Sequence, residues 1–266
     1  MKIFLAEYIK DYSSYTFSYV PYAIFENRSG MSEIYHNGFL PYTGNTQLEH
    51  FLYYKARSLR IDLDKFQPGS ENRRVDRKFE DLDVSVNWIP VSDFDTGDFK
   101  FVEFCTEYCR QRFKGGEMEP DRLEYILNSP FLTDIVEFEI DGTLAGYVFL
   151  AQNEELIHYW YSFYTLTEFQ DLPLGKFMML EMIRQARESG RKYCYLGTCY
   201  GAHSLYKVRD FKGVQFSDGS TWSEDVKKLK AWCKSDDVPL DSDRFKQLSA
   251  DEANEQIRSL LNPSLA

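Results

Sequence analysis

Positively charged side chains are concentrated in two segments of an otherwise acidic chain. The 266 residues include 31 Lys and Arg against 42 Asp and Glu, a net charge of −11. Segment 175–212 nevertheless carries eight cations and three acids, and segment 55–80 carries eight cations and five acids. Binding of a polyanion depends on the local field. We therefore predict that these two segments meet at a site for phosphate groups, whereas the acidic total argues against non-specific coating of nucleic acid.

Two neighbouring arginines and three consecutive aromatic residues suit nucleic-acid chemistry. A guanidinium is a planar fork, so Arg73 and Arg74 could hold a phosphate or an acidic N-terminus. A solvated helix face is the alternative for this charge run. Tyr159, Trp160 and Tyr161 could stack on a terminal adenine. The alternative for alternate members of that run is a sheet core.

The cysteines and histidines give little sign of a metal centre or a disulfide framework. Five cysteines are present and none forms a C-x-x-C pair: Cys105, Cys109, Cys194, Cys199 and Cys233. Cys105 and Cys109 lie four apart on a predicted helix, but a second ligand pair is missing. We interpret them as small buried residues, and no metal is predicted. The scattered histidines are interpreted as structural: His36, His50, His158 and His203.

Hydrophobic periodicity predicts the elements that must position these side chains. In chain order we predict a strand at 56–63, helices at 98–114 and 121–127, strands at 134–140, 144–151 and 156–164, a helix at 176–188, a strand at 192–197, a helix at 201–208 and a strand at 213–216. Asp141-Gly142 is a strong hairpin-turn signal. The helix at 176–188 is apolar on most sides, which is typical of a helix packed on a sheet.

The chain is predicted to have three regions. Segment 87–97, with Pro90, two aspartates and a glycine, is interpreted as a linker. It separates an N-terminal α+β region (1–90) from a main domain (98–222), which is followed by a helical tail (223–266). No apolar run approaches the roughly 20 residues that span a bilayer. We therefore expect a cytoplasmic protein without a membrane partner.

The predicted order of elements resembles the GNAT acyltransferase fold. That resemblance implies an α+β structure, with a splayed mixed sheet, flanking helices and a smaller N-terminal α+β region. In GNAT enzymes a loop of the form Q/R-x-x-G-x-G/A before a helix holds the pyrophosphate of acetyl-CoA. Here Gln170-Asp171-Leu172-Pro173-Leu174-Gly175 has one glycine, an acid and a proline, which weakens the case for acetyl-CoA. Close packing of helix and strand is the alternative reason for Gly175.

Short motifs between residues 35 and 222 carry a more specific resemblance. The matching segments are Gly38-Phe39, 57–66 with 70–74, 172–177, 193–197 and 204–207. In the same order, they resemble segments of the arginyl-tRNA–protein transferases and their bacterial leucyl relatives, including Leu-Ser-Leu-Gly-x-Tyr, Tyr-Leu-Tyr-Leu-Gly and Lys-Met-x-Tyr-Lys. The family's N-terminal cysteine pairs are missing, since no cysteine precedes Cys105. Leu40-Pro41-Tyr42-Thr43 also replaces the family's Arg-Arg-Ser-Gly.

The family resemblance implies an aminoacyltransferase. In that reaction an amine attacks the ester that joins an amino acid, Arg or Leu, to the 3′ end of tRNA. The acceptor protein gains a new N-terminal residue, as in N-degron tagging. Such chemistry needs a deprotonated amine, donors for the oxyanion and a proton for the leaving ribose hydroxyl. The implied partners are aminoacyl-tRNA and an acceptor N-terminus, and no cofactor is implied.

The resemblance also assigns roles to individual residues. Tyr206 occupies the place where many GNAT enzymes have a tyrosine that protonates the leaving group, and a phenol has a pKa of about 10. Lys207 is expected to stabilise the oxyanion or a phosphate. The alternative for Tyr206 is a tyrosine of the core, and the alternative for Lys207 is an ion pair at the surface. The expected substrate- and tRNA-binding residues are Arg57, Arg60, Arg73, Arg74, Leu174, Gly175, Lys176, Tyr195 and Gly197.

Two other functions stay open at the level of sequence. One is a GNAT N-acyltransferase that uses acetyl-CoA or another acyl-CoA as its cofactor. The other is a non-catalytic binding module of the same fold. The single-glycine loop favours the aminoacyltransferase over the first, and the missing cysteines and arginines leave room for the second.

Overall fold

The computed structural model describes residues 2–6, 20–112, 118, 120–236 and 249–261. The strands are β1 (Ile3–Ala6), β2 (Val20–Ile24), β3 (Phe39–Tyr42), β4 (Leu52–Lys55), β5 (Ser58–Asp62), β6 (Val84–Pro90), β7 (Asp134–Ile140), β8 (Thr143–Gln152), β9 (Leu156–Tyr164), β10 (Tyr193–Thr198), β11 (Val214–Ser217) and β12 (Trp222–Ser223). The helices are α1 (Met31–His36), α2 (Ser70–Asp76), α3 (Phe99–Arg112), α4 (Pro120–Leu127), α5 (Leu174–Glu188), α6 (Tyr206–Asp210), α7 (Val226–Asp236) and α8 (Ala250–Leu261).

The chain forms two compact units. Unit 1 comprises Met1–Leu59, Thr198–Leu205 and Phe216–Ala266, and unit 2 comprises Arg60–Gly197 and Tyr206–Gln215. The three-region division drawn from the sequence stays a prediction.

Unit 1 contains an antiparallel sheet with the strand order β1-β2-β4-β3. Apolar side chains from β2 and β4, among them Ile24 and Leu52, form a core with Ile257 of α8. Ile257 is fully buried, so α8 closes this core. The short β12 pairs antiparallel with the end of β11, at Phe216 and Ser217.

Unit 2 contains a mixed sheet with the strand order β11-β5-β10-β9-β8-β7-β6. The strands from β6 to β9 are antiparallel, and β10 pairs parallel to β9. Successive strand residues point to opposite faces. Gly146 of β8 approaches Met178 of α5, whereas the ring of Tyr147 lies 5.0 Å from that of Phe101 in α3. Helices α5 and α3 therefore cover opposite faces, which confirms the predicted α+β class with flanking helices.

The predicted linker is wrong for its first residues. Strand β6 runs from Val84 to Pro90 and pairs with β7 along its whole length. A proline is tolerated there because β6 is an edge strand, where one face of the backbone needs no ladder partner. Pro90 is also the last residue of the strand. The proline that suggested a linker therefore lies at the end of an edge strand of the sheet.

Most other predicted elements are confirmed to within a few residues. The Asp141-Gly142 turn joins β7 to β8, with positive φ values of 49° and 72°. The predicted helix at 201–208 is divided into a 3-10 turn, Ala202–Leu205, and helix α6. All five cysteines are buried and none of them forms a disulfide, and the predicted burial of Cys105 and Cys109 is confirmed. Within the described residues, no helix is long and apolar enough to cross a membrane.

Candidate active site

The two parallel strands at the centre of unit 2 part halfway along their length. In this pairing Tyr193 is opposite Leu156, Cys194 is opposite Ile157, and Tyr195 is opposite His158. Strand β9 then continues to Tyr164. A bulge on β9 accompanies this parting, because Phe149 faces Tyr161 while Leu150 faces Tyr159, so Trp160 is left out of the ladder with β8. A gap therefore opens in the sheet next to Tyr195 and His158.

A small notch lies where the strands part. Gly197 has a φ of +76°, a backbone conformation that favours glycine. A methyl group built on it would lie 3.9 Å from Lys207 Nζ and 4.0 Å from His158 Nε2. Lys207 Nζ donates a hydrogen bond of 2.8 Å to the carbonyl of Leu196. We call this feature, formed by Gly197, His158 and Lys207, the Gly197 notch.

His158 provides the notch with a neutral imidazole. The residue is 2% exposed, and its ring stacks on Trp160 with centroids 6.3 Å apart. Burial, and then the charge of Lys207, lower the pKa of His158 to about 3. The ring is therefore neutral at physiological pH. A neutral imidazole has one nitrogen that can donate a hydrogen bond and one that can accept a hydrogen bond.

Tyr206 begins helix α6, directly before Lys207. It is 36% exposed, so it is not a core tyrosine. Tyr159 is buried beside it, and burial, with smaller contributions from the nearby Tyr206 and Tyr164, raises the pKa of Tyr159 above its ordinary value. Lys207 is half-buried and bound to main chain. The adjacent pair thus combines an accessible phenol with an ammonium held in the notch.

A cavity of about 470 Å³ opens at the C-terminal end of β9. Its lining includes Phe104 and Tyr108 of α3, Leu144 of β8, and Tyr164 with Leu166. Glu103, Glu107 and Glu168 also line it. Tyr164 influences the pKa of Tyr159, as Tyr206 does. The cavity therefore adjoins the same group of phenols as the predicted proton donor.

Two of the predicted phosphate-binding cations, Lys176 and Arg74, form ion pairs, and their role toward phosphate stays a prediction. Lys176 Nζ lies 2.7 Å from Glu71 Oε1 and 2.9 Å from the buried Asp210 Oδ2. Arg74 Nε lies 2.8 Å from Glu71 Oε2. Hydrogen bonds from Arg74 and then Lys176 lower the pKa of Glu71 to about 2. The two basic segments do meet, but carboxylates lie between their cations. The exposed Arg73 donates to the carbonyl of Pro68 at 2.9 Å.

Arg60 and Tyr195 lie together inside unit 2. Arg60 donates to Gln215 Oε1 at 2.8 Å and to the hydroxyl of Tyr195 at 3.4 Å, and it stacks on Tyr193 at 3.9 Å. Both residues are buried, so this contact holds β5 to β10. Their predicted role in binding stays a prediction.

Arg57 belongs to unit 1, where Asp236 holds it in a bidentate ion pair. Arg57 Nη1 lies 2.6 Å from Asp236 Oδ2, and Nη2 lies 3.1 Å from Oδ1. The guanidinium also donates to the carbonyl of Cys199 at 3.3 Å and covers the ring of Tyr200 at 4.7 Å. These contacts join α7 to the turn after β10. Its predicted role toward tRNA stays a prediction as well.

The start of α5 is packed tightly. A methyl group on Gly175 would lie 2.9 Å from the ring of Tyr164, so only glycine fits there without a shift. Leu174 is buried. The amide of Leu174 donates to Leu172, and those of Lys176 and Phe177 both donate to Pro173. These amides thus donate to carbonyls of the loop and of the first helical turn.

Of the predicted site residues, the structure brings Lys207 and Gly197 together at the notch, and Tyr206 directly precedes Lys207 in the chain. Lys176 and Arg74 form a separate ion-paired cluster. His158 was interpreted as structural from the sequence, and its position beside Gly197 and Lys207 makes it a candidate for the site as well. Its neighbour Lys207 is 49 positions away along the chain, and only the register of β9 and β10 places them together. A histidine inside an otherwise aromatic strand was the one signal. Within the described part of the chain, no three potential metal ligands lie close together.

The order of elements in unit 2 defines the class of protein. An antiparallel run from β6 to β9, a helix α5, and a parallel β10 that parts from β9 form the predicted GNAT-like acyltransferase fold. A family model described as arginine-tRNA-protein transferase, C terminus, matches residues 100–210. This match confirms the resemblance to the aminoacyl-tRNA–protein transferases that the motifs show.

Individual relatives carry a related name. The aspartate/glutamate leucyltransferase of Rhizorhabdus wittichii is 29% identical over 179 residues, 62% of this chain and 64% of that protein. The one of Chromobacterium violaceum is 29% identical over 165 residues, 60% of this chain and 62% of that protein. The chain thus matches less than two thirds of the length of these relatives. Among solved structures, FemX is similar with a TM-score of 0.47 and 12% identity, covering 74% of this chain and 68% of FemX.

Proposed function

We propose that this protein transfers an aminoacyl group from tRNA to the N-terminal amine of an acceptor protein. The observation that carries the proposal is the position of the notch. His158, Gly197 and Lys207 all lie within the region, 100–210, that matches the transferase family. The product would carry a new N-terminal residue, as in N-degron tagging. The reaction needs no cofactor besides the tRNA-linked donor.

The residues at the notch suit amine attack on an ester. The carbon–nitrogen bond forms while the ester carbon–oxygen bond breaks, and an oxyanion develops in between. Lys207 can stabilise that oxyanion, since an ammonium in a partly buried site is a strong donor. Tyr206 can give its proton to the leaving ribose oxygen. No activated protein nucleophile is required, because the amine itself attacks.

Leucine is the donor to expect, with arginine as the other candidate. The relatives are named for leucyl transfer to aspartate and glutamate. The cavity at the end of β9 does not decide between leucine and arginine, because Phe104, Leu144 and Leu166 suit a leucine side chain, whereas Glu103, Glu107 and Glu168 suit an arginine. Asp and Glu are correspondingly the N-terminal residues to expect on the acceptor.

Transfer from an acyl-CoA is the less favoured reaction. A pyrophosphate is usually held by free amides at a helix N-terminus. At the start of α5, Leu174, Lys176 and Phe177 donate within their own loop. The ring of Tyr164 fills the space over Gly175, which agrees with a packing role for this glycine.

The direct test uses the purified chain with labelled leucyl-tRNA and arginyl-tRNA. Acceptor peptides begin with Asp or Glu, and a peptide beginning with Ala serves as the control. We expect transfer to the acidic N-termini, detected as a mass increase of one residue. Absence of transfer from either donor, together with measurable binding of acetyl-CoA, would overturn the proposal.

A further inference from the structure

Helix α6 carries Tyr206 and Lys207 at one end and a buried carboxylate at the other. The helix has five residues, whereas an isolated helix needs roughly 12–15 to be even marginally stable in water. Contacts with the rest of unit 2 must therefore fix its position. Asp210 is the last residue of α6 and is 4% exposed. It follows Lys207 by about 4.5 Å along the helix axis.

Two other helices of unit 2 hold Asp210 in place. Lys176 Nζ, in the first turn of α5, lies 2.9 Å from Asp210 Oδ2. Asn72 of α2 donates from Nδ2 to the main-chain carbonyl of Asp210 at 3.0 Å, and Asn72 is itself buried. The exposed Arg209 also pairs with Asp210, at 2.7 Å, but a cation at the surface contributes little. The last residue of α6 thus attaches this helix to both α2 and α5.

The contact between Lys176 and Asp210 fixes geometry more than it adds stability. Taking charges out of water costs free energy, and a buried ion pair often adds no net stability relative to apolar side chains of similar volume. Its hydrogen bonds are directional, however. Lys176 Nζ is also 2.7 Å from Glu71 Oε1 of α2, so the ammonium is itself held from two sides. Such an arrangement allows one placement of α6 against α5.

We infer that Asp210 is a positioning residue, which sets where α6 presents Tyr206 and Lys207 to the substrates. Lys176 and Asn72 act by holding it. This inference rests on the proposed function, and it gives Lys176 a role that differs from the substrate contact predicted from the sequence. A misplacement of reacting groups by about 1 Å, caused by a mutation far from the chemistry, can cost about 100-fold in rate.

The variants Lys176→Met and Arg74→Met distinguish positioning from binding of phosphate. Both cations pair with Glu71, and Lys176 is the one that also pairs with Asp210. Positioning predicts that Lys176→Met loses about 100-fold in kcat with an unchanged KM for aminoacyl-tRNA, while Arg74→Met keeps the wild-type kcat. A contact with tRNA phosphates predicts a higher KM for both variants. A rise in KM for Lys176→Met, with kcat within about threefold of the wild type, would overturn the inference.

The double variant Lys176→Met/Asp210→Asn separates positioning from stability. Lys176→Met alone leaves a buried carboxylate without its partner on α5, which is destabilising, whereas removal of both charges is closer to neutral. We expect the double variant to regain thermal stability and yet to keep the loss in kcat, because the link between α5 and α6 stays broken. Recovery of kcat together with stability would show a merely structural role and would overturn the inference.

The outcomes separate this inference from the proposed function. If the wild-type protein transfers no amino acid, both fall. If it transfers and the variants of Lys176 behave as a phosphate contact predicts, the inference alone falls. If neither variant of Lys176 folds, Asp210→Asn decides, since it keeps the shape of the side chain and weakens the hydrogen bond by removing the charge. That variant should lose about tenfold in kcat, and a wild-type kcat would overturn the inference.

Discussion

A methyl group added at Gly197 should abolish activity for a reason that differs from backbone strain. Gly197→Ala places the new carbon 3.9 Å from Lys207 Nζ and 4.0 Å from His158 Nε2. Those are ordinary contact distances, so the methyl fits without displacing either side chain. It would occupy the space that we assign to the reacting groups. Loss of access to one oxyanion donor typically costs about 100- to 1,000-fold in kcat, and we expect a loss of that size.

The chain provides a matched control for the strain. Gly190 has a φ of +77°, against +76° for Gly197, and nothing lies within 4 Å of a methyl group built on it. An alanine in the left-handed region costs about 1–2 kcal/mol at either position. Both variants should therefore lower the midpoint of thermal unfolding by a similar amount, roughly 2–8 °C for a chain of this size. Only Gly197→Ala should lose transfer activity.

The measurement pairs thermal unfolding with kcat and KM for leucyl-tRNA. Equal loss of activity in the two alanine variants would mean that strain, and not occupation of the notch, is responsible. Retention of activity within about threefold by Gly197→Ala would refute the placement of the reaction at the notch. Either result would direct attention to the cavity at the end of β9.

Two further predictions concern charged groups. Lys207→Met should reduce kcat by about 100- to 1,000-fold with KM for the tRNA nearly unchanged, as measured by steady-state transfer, because the oxyanion loses its donor; a rise in KM alone would indicate a phosphate contact. The pKa of Glu71 is lowered to about 2 by Arg74 and Lys176, so its contribution to stability is present above its ordinary pKa and is lost as the pH falls from about 4.5 to about 2. Urea unfolding at several pH values should show that the free energy of unfolding falls less for Glu71→Gln than for the wild type over this pH range. An equal fall in both proteins would contradict the prediction.

The sequence allowed most of the fold to be predicted because local patterns specify it. Alternation and helical spacing gave β7, β8, β9 and α5, and the Asp141-Gly142 turn fixed one hairpin. The failure at β6 has a local cause. Pro90, followed by two aspartates and a glycine, suggested a linker, whereas an edge strand tolerates Pro90 because part of its backbone needs no partner.

Only part of the candidate site could be predicted from the sequence. Lys207, Tyr206 and Gly197 were found through motifs that resemble a family. His158 could not be found in that way, because its relation to Lys207 exists only after β9 and β10 pair in parallel and then part. Parallel pairing connects residues that are distant in the chain, and no local pattern encodes its register. Trp160 and its bulge were missed for the same reason.

Counting charges along a segment gives an incomplete view of its surface, and the structure indicates why. A count along a segment leaves out the acids that other segments supply. Lys176 meets Glu71, Arg184 meets Asp76 at 2.7 Å, and Lys192 approaches Glu155 at 3.5 Å. Each of these carboxylates lies outside the segment 175–212 whose excess of cations suggested a surface for phosphates. The charge that matters for the proposed chemistry is then a single ammonium. Lys207 is held by the main-chain carbonyl of Leu196 beside a neutral imidazole, which is the arrangement on which the proposed stabilisation of an oxyanion rests.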